Sequence, residues 1–159
     1  MPKPVPKAQL IEDVMRQLRR MVKALQTYSS EVEARFGLTG PQLWALWTIH
    51  QQGPSGLKEL AQAMHLHPST VVGVVDRLEA KKLLARSPDP LDGRRVRIAL
   101  TAAGRRTVIQ APHPAQGQLI HGLQAMNRDE VAQLHGTLGR LVGVMEADDL
   151  EARFFFSDE

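Results

Sequence analysis

The chain has 159 residues, 43% of them apolar but only 4% aromatic, with no cysteine and a net charge of +3. That length supports one domain with a real core, or a small domain carrying an oligomerisation element, and the core must come mainly from Leu, Val, Ala and Met. The lack of cysteine excludes a disulfide framework, a thiolate metal site and a thiol redox switch.

The start, MPKPVPKAQLIEDVMRQ, has no apolar signal-peptide centre, and no run of about 18 apolar residues follows that could cross a bilayer, so a cytoplasmic protein with no membrane association is expected. Residues 1–7 contain three prolines and two lysines and are expected to form a flexible arm. From Ala8 to Phe36 the apolar positions Leu10, Val14, Leu18, Met21, Val22, Leu25, Tyr28 and Val32 recur at three- and four-residue steps, which predicts a long amphipathic helix ended by Gly37. At roughly 1.5 Å per residue such a helix outruns one small domain. A partner chain is its simplest cover.

Thr39 and Gln42 form a T-x-x-Q capping box with Pro41 in the first turn, predicting a second helix from about Gly40 to Gln51. Trp44, Ala45, Trp47, Thr48 and His50 lie on more than one of its faces, so much of it should be buried. Ser55 is placed to cap a short third helix with the apolar stripe Leu57, Leu60, Ala61 and Met64. His65-Leu66-His67 then reads as a turn, and Pro68 suits the first position of the next helix.

That helix runs from Pro68 to about Lys81. Val71, Val75 and Leu78 should face the core, leaving Ser69, Thr70, Val72, Gly73, Asp76 and Arg77 to point elsewhere. Small side chains on an exposed face would let the helix approach a base edge closely. Leu83-Leu84-Ala85-Arg86 and Arg95-Val96-Arg97-Ile98-Ala99-Leu100 read as two strands, with a breaker-rich tip at residues 87–94. Arg94, Arg95 and Arg97 gather guanidinium groups at its return edge, and Asp92 is placed to hold Arg94 by a charge-assisted pair. The order of elements describes a winged helix-turn-helix, which sets its second helix in the major groove of DNA.

Thr101 should cap a further helix that breaks near Pro112 and Pro114, and Asn127 with Glu130 signals the start of a last helix carrying Val131, Leu134, Leu138, Leu141, Val142 and Met145. Beyond it, the tail at 151–159 places Phe154, Phe155 and Phe156 between acidic residues and is expected to be flexible. The charge is uneven: residues 1–56 carry 7 basic and 4 acidic side chains, residues 57–106 carry 10 and 5, and residues 107–159 carry 3 and 8. A basic middle third suits a polyanion partner, because each neutralised phosphate releases condensed counterion.

The stretch LKELAQAMHLHPSTVVGVVDRLEAKKLLAR, followed by DPLDGRRVRIALTAAG, resembles the MarR family of transcriptional regulators. The features that carry the likeness are an Asp-Arg-Leu in the second helix, an Arg closing the first strand, an Asp-Gly-Arg-Arg tip and a Leu-Thr-x-x-Gly at the next helix. The resemblance implies a mainly α fold with a small β-hairpin wing. Helices at 8–36 and 101–147 would dimerise the chain, and 38–100 would bind DNA. It also implies a homodimer on a double-stranded DNA operator, acting as a repressor relieved by a small aromatic or anionic effector. Matching positions are Pro68, Ser69, Thr70, Val72 and Gly73 for the groove, Arg77 for a backbone contact, Arg86 at the end of the first wing strand, and Asp92, Arg94 and Arg95 for the wing. Tyr28, Trp44, Trp47 and His50 are expected to line an effector crevice. Three departures stand out: Lys82 replaces a glycine usual in the family, Gly73 stands where many members carry a longer polar side chain, and the Pro112–Gly117 break interrupts what is often one helix.

No cofactor and no catalysis are expected, since the chain has no nucleophile elbow and no phosphate-binding glycine loop. The histidines at 50, 65, 67, 113, 121 and 135 show no H-x-x-x-H or H-E-x-x-H spacing, so no metal site is expected. A metal-responsive regulator and a winged helix used only for protein interaction are the alternatives.

Overall fold

The computed structural model describes residues 4–150 and Ala152. The expected tail with Phe154, Phe155 and Phe156, and residues 1–3 of the expected arm, lie outside the described residues.

The first helix, α1 (Lys7–Phe36), ends at Gly37, whose left-handed φ of +62° lets its N–H reach back to the Glu33 carbonyl at 2.9 Å. Val32 is the fully buried residue of α1, whereas Leu10, Ile11, Val14, Met15, Met21 and Val22 stay exposed. The next helix, α2 (Gly40–Gln52), starts with both halves of its capping box formed: Gln42 N–H donates to Thr39 Oγ1, and Thr39 N–H to Gln42 Oε1. It is buried from Gly40 to Leu46 and packs against elements from both ends of the chain, so it forms the centre of the fold.

Helix α3 (Leu57–Met64) is preceded by Gly56 at the N-cap, not by a capping Ser55. Ser55 instead exchanges two backbone hydrogen bonds with Ile98, at 3.1 and 2.8 Å, and so joins the edge of the hairpin. The sheet edge satisfies the Ser55 backbone, leaving the cap to its neighbour. After a turn at His65 comes α4 (Pro68–Ala80), with Val71, Val75 and Leu78 buried as expected and Val74 buried beside them. The chain then leaves α4 through Lys82 in a left-handed conformation, φ +58°, rather than through a glycine.

Strands β1 (Leu84–Pro88) and β2 (Val96–Leu100) pair antiparallel, with Leu84 opposite Leu100 and Pro88 opposite Val96. Ile98 is buried and Leu100 partly so, but Val96, nearest the tip, is exposed. Helices α5 (Ala102–Gln110), α6 (Ala115–Ala125) and α7 (Arg128–Val144) complete the described chain, with the break between α5 and α6 at Pro112–Pro114.

The base of the hairpin is tied to α5. Thr101 Oγ1 donates to the Lys82 carbonyl at 2.7 Å and accepts the Gly104 N–H at 3.0 Å, while Thr101 N–H donates to the Leu83 carbonyl at 3.1 Å. A Cβ on Gly104 would lie 2.1 Å from that Leu83 oxygen, so no larger residue fits. One apolar core holds these pieces together, built from Leu43, Leu46, Leu60, Met64, Leu78 and their neighbours.

Candidate nucleic-acid interface

The side of α4 away from the core is a low surface. Pro68, Ser69, Thr70, Val72, Asp76 and Arg77 are exposed, and Gly73 is partly exposed with nothing within 4 Å of where its Cβ would sit. No packing within the chain requires a glycine there, and a close external neighbour could approach. His67 organises the helix start: its Nδ1 accepts the Ser69 N–H at 3.2 Å and lies 2.6 Å from Ser69 Oγ. Ser69 is thereby drawn toward the helix N-terminus.

At the wing tip, Arg94 and Arg95 are exposed. The expected pairing of Asp92 with the Arg94 side chain is not formed. Asp92 Oδ1 accepts the Arg94 backbone N–H at 3.1 Å, and Oδ2 lies 3.8 Å from Arg95 Nε. The reason is local geometry: a carboxylate that accepts an N–H two residues on curls the chain, which brings Arg95 rather than Arg94 over its second oxygen. Asp89 plays a larger part than the sequence suggested. Its Oδ1 accepts the N–H groups of Leu91 and Asp92, its Oδ2 lies 4.0 Å from Arg97 Nε, and the bond from Leu91 most of all lowers its pKa below the ordinary carboxylate value. The D-P-L-D spacing carried that turn signal.

Arg86 faces inward. Its Nη2 donates to Asp76 Oδ1 at 2.6 Å and its Nη1 to Glu79 Oε2, both carboxylates being on α4. The hydrogen bond it donates to Asp76 raises its pKa above the usual guanidinium value, against a smaller lowering by burial. Two of the Arg86 donors thereby fix the wing against α4.

A low helix face beside an arginine-tipped hairpin can dock on duplex DNA. Comparison with known proteins agrees. Residues 38–96 match the MarR family model. The chain is 26% identical to the HTH-type transcriptional repressor MdtR of Bacillus subtilis over 141 residues, spanning 89% of this chain and 91% of that protein. It is similar to the solved structure of a MarR family protein from Bacillus stearothermophilus, with a TM-score of 0.57 and 26% identity over 89% of this chain and 99% of that one. Similarity extends to Bordetella bronchiseptica BpsR, whose DNA binding is regulated by 6-hydroxynicotinic acid, at 30% identity and a TM-score of 0.51, covering 84% of this chain and 98% of that one. The chain belongs to the MarR family.

As a MarR-family winged helix, the protein is a DNA-binding transcriptional regulator, and its relatives are regulators rather than enzymes. No described helix is long and apolar enough to cross a membrane. No three His, Asp or Glu side chains among the described residues lie together as a metal-ligand set.

The expected effector crevice is divided in this MarR-family chain. A cleft of about 720 Å³ between α1 and the start of α6 is bordered by Arg16, Arg19, Arg20, Lys23 and Tyr28. A second, of about 520 Å³ between α2 and α6, is bordered by Trp44, Trp47, Gly117 and His121. His113 and Gln118 border both. Tyr28 therefore belongs to one cleft and Trp44 and Trp47 to the other. His50 is exposed and lines neither, meeting Trp47 edge-on with ring centres 5.9 Å apart. The divider is the proline break together with the start of α6. The His113 ring lies 4.8 Å from that of Trp47, and a Cβ on Gly117 would come within 2.8 Å of Trp44. Tyr28 Oη and Trp44 Nε1 are buried without a hydrogen-bond partner. Burial, and secondarily Glu31, raises the Tyr28 pKa well above the ordinary phenol value, so the hydroxyl is a neutral donor.

Proposed function

We propose that the protein is a ligand-responsive repressor that binds a palindromic operator as a homodimer. The observation that carries the reading is the pairing of a low, exposed α4 face with an exposed Arg94–Arg95 wing tip on one rigid module. In this reading Pro68, Ser69, Thr70, Val72 and Gly73 meet the major groove and Arg77 the sugar-phosphate backbone. Arg94 and Arg95 reach phosphates or the minor groove, with Asp92 orienting the tip. Residues 38–100 form the DNA-binding region.

Dimerisation through residues 8–36 and 101–147 is supported by the exposed apolar side chains Leu10, Val14 and Val22 of α1 and Leu138, Leu141 and Val142 of α7. Apolar surface at this density is rarely left open to water. Two subunits would set the recognition helices about 34–36 Å apart, one turn of duplex. The effector reading rests on the two tryptophans of one cleft, the cations of the other, and the likeness to BpsR.

A gel shift against the intergenic DNA upstream of the protein's own gene, with and without 6-hydroxynicotinic acid, tests both levels. The expected result is a shifted band that competitor DNA of scrambled sequence does not remove and that the acid weakens. Equal competition by scrambled DNA would refute operator recognition. An unmoved band in the presence of the acid would refute that effector.

A further inference from the structure

We propose that Lys81 is a positioning residue, which sets the angle of α4 by tying its end to the joint between α1 and α2; this rests on the reading of α4 as the helix that enters DNA. Lys81 closes α4, its own N–H bonded to the Arg77 carbonyl, while its Nζ donates to Gly37 O at 2.7 Å and Gln42 Oε1 at 3.0 Å. Those acceptors lie 44 and 39 residues earlier in the chain. Gly37 is the C-cap of α1, so the ammonium at the end of α4 meets the negative end of α1.

Gln42 makes the joint stiff. It is 2% exposed, the buried polar side chain of the described core, and the oxygen that receives Lys81 also accepts the Thr39 N–H at 3.3 Å. Rotating Lys81 away would strip a partner from a carboxamide that water cannot easily reach. Val71, Val74, Val75 and Leu78 pack α4 into the apolar core. Apolar packing fixes separation but tolerates sliding, whereas a charge-assisted hydrogen bond is directional.

The joint also links the two helices that each carry one wall of a cleft. Tyr28 and the cations stand on α1, and Trp44 and Trp47 on α2, with Gly37 to Thr39 between the helices. A change in the α1–α2 angle moves both acceptors of Lys81 and hence the end of α4. The ammonium of this exposed residue is turned onto two acceptors of the chain itself, which separates this role from that of a phosphate contact.

The test compares wild type with Lys81→Met, Lys81→Gln and Lys81→Arg, measuring affinity for an operator duplex selected with the wild-type protein over a series of salt concentrations. Lys81→Met and Lys81→Gln are expected to bind about tenfold more weakly with the salt slope unchanged, and Lys81→Arg to recover most of the loss. A slope smaller by about one would make Lys81 a direct phosphate ligand and overturn the proposal. Wild-type affinity in folded Lys81→Met would overturn it as well. Should wild type select no duplex, the DNA-binding reading itself fails. Amide exchange over residues 37–42 then judges the tie separately, with faster exchange in Lys81→Met expected and unchanged exchange refuting it.

Discussion

Single side chains at the wing tip control where two positive charges are presented. Asp92 curls the chain under Arg94 and leaves that guanidinium exposed, while Arg95 leans toward Asp92 Oδ2. If each meets a phosphate, Arg94→Ala and Arg95→Ala should each lower the salt dependence of operator binding by about one unit of slope, read from affinities at several salt concentrations. Unchanged binding in the double variant would remove the wing from the interface. At Lys82 the backbone takes a left-handed turn that costs a residue with a Cβ roughly 1–2 kcal/mol. Lys82→Gly relieves that strain and loses part of the gain to the freer unfolded chain, so denaturant unfolding should show a net stabilisation of about 0.5–1 kcal/mol. Tyr28 gives a pH prediction. Its folded pKa is raised above the unfolded value near 10, so its contribution is intact below pH 10 and is lost as pH rises beyond it. Thermal melts should fall above pH 10 in wild type and fall less in Tyr28→Phe, which also removes a buried hydroxyl without a partner.

Between elements, the decisive contacts are those that hold the hairpin to the helices on either side. Gly104→Ala would drive a methyl into the Leu83 carbonyl and is expected to cost about 1–3 kcal/mol, more than its improvement in helix propensity returns, as a urea midpoint would show. The elements themselves were legible because their signals are local. The Thr39/Gln42 and Asn127/Glu130 boxes act over three residues, and the core rhythm of α4 spans one helix. Pairings between elements were not legible. Arg86 reads as a free cation at the end of a strand until the fold brings Asp76 and Glu79 beneath it. Ser55 reads as a cap because that is what a serine before a helix does locally; only the finished hairpin offers Ile98 as a competing partner. The four crevice residues follow from the family resemblance, which carries no sign of the proline break that divides them through where α6 lies.

For the whole molecule, the question is what covers the apolar sides of α1 and α7. Val14 and Leu141 are 52% and 44% exposed in the single chain, values that suit a subunit interface better than open surface. Replacing Val14 and Leu141 together by aspartate should convert the proposed dimer to monomer in sedimentation experiments. It should also abolish operator binding while leaving the winged helix folded, because each monomer reads only a half-site.

The Ser55–Ile98 bridge bears on how the wing touches DNA. It clamps the hairpin at the middle of β2, and the Asp89 N–H to Arg95 carbonyl bond closes the last rung before the tip. What overhangs is a short cantilever of residues 90–94 whose root cannot tilt. A beam so short does not follow its target; the target must fit it. If the wing enters the minor groove as proposed, operators with a groove of the right width at that spot should bind more tightly than others with identical bases under α4, and the wing would serve as a calliper rather than a reader of letters.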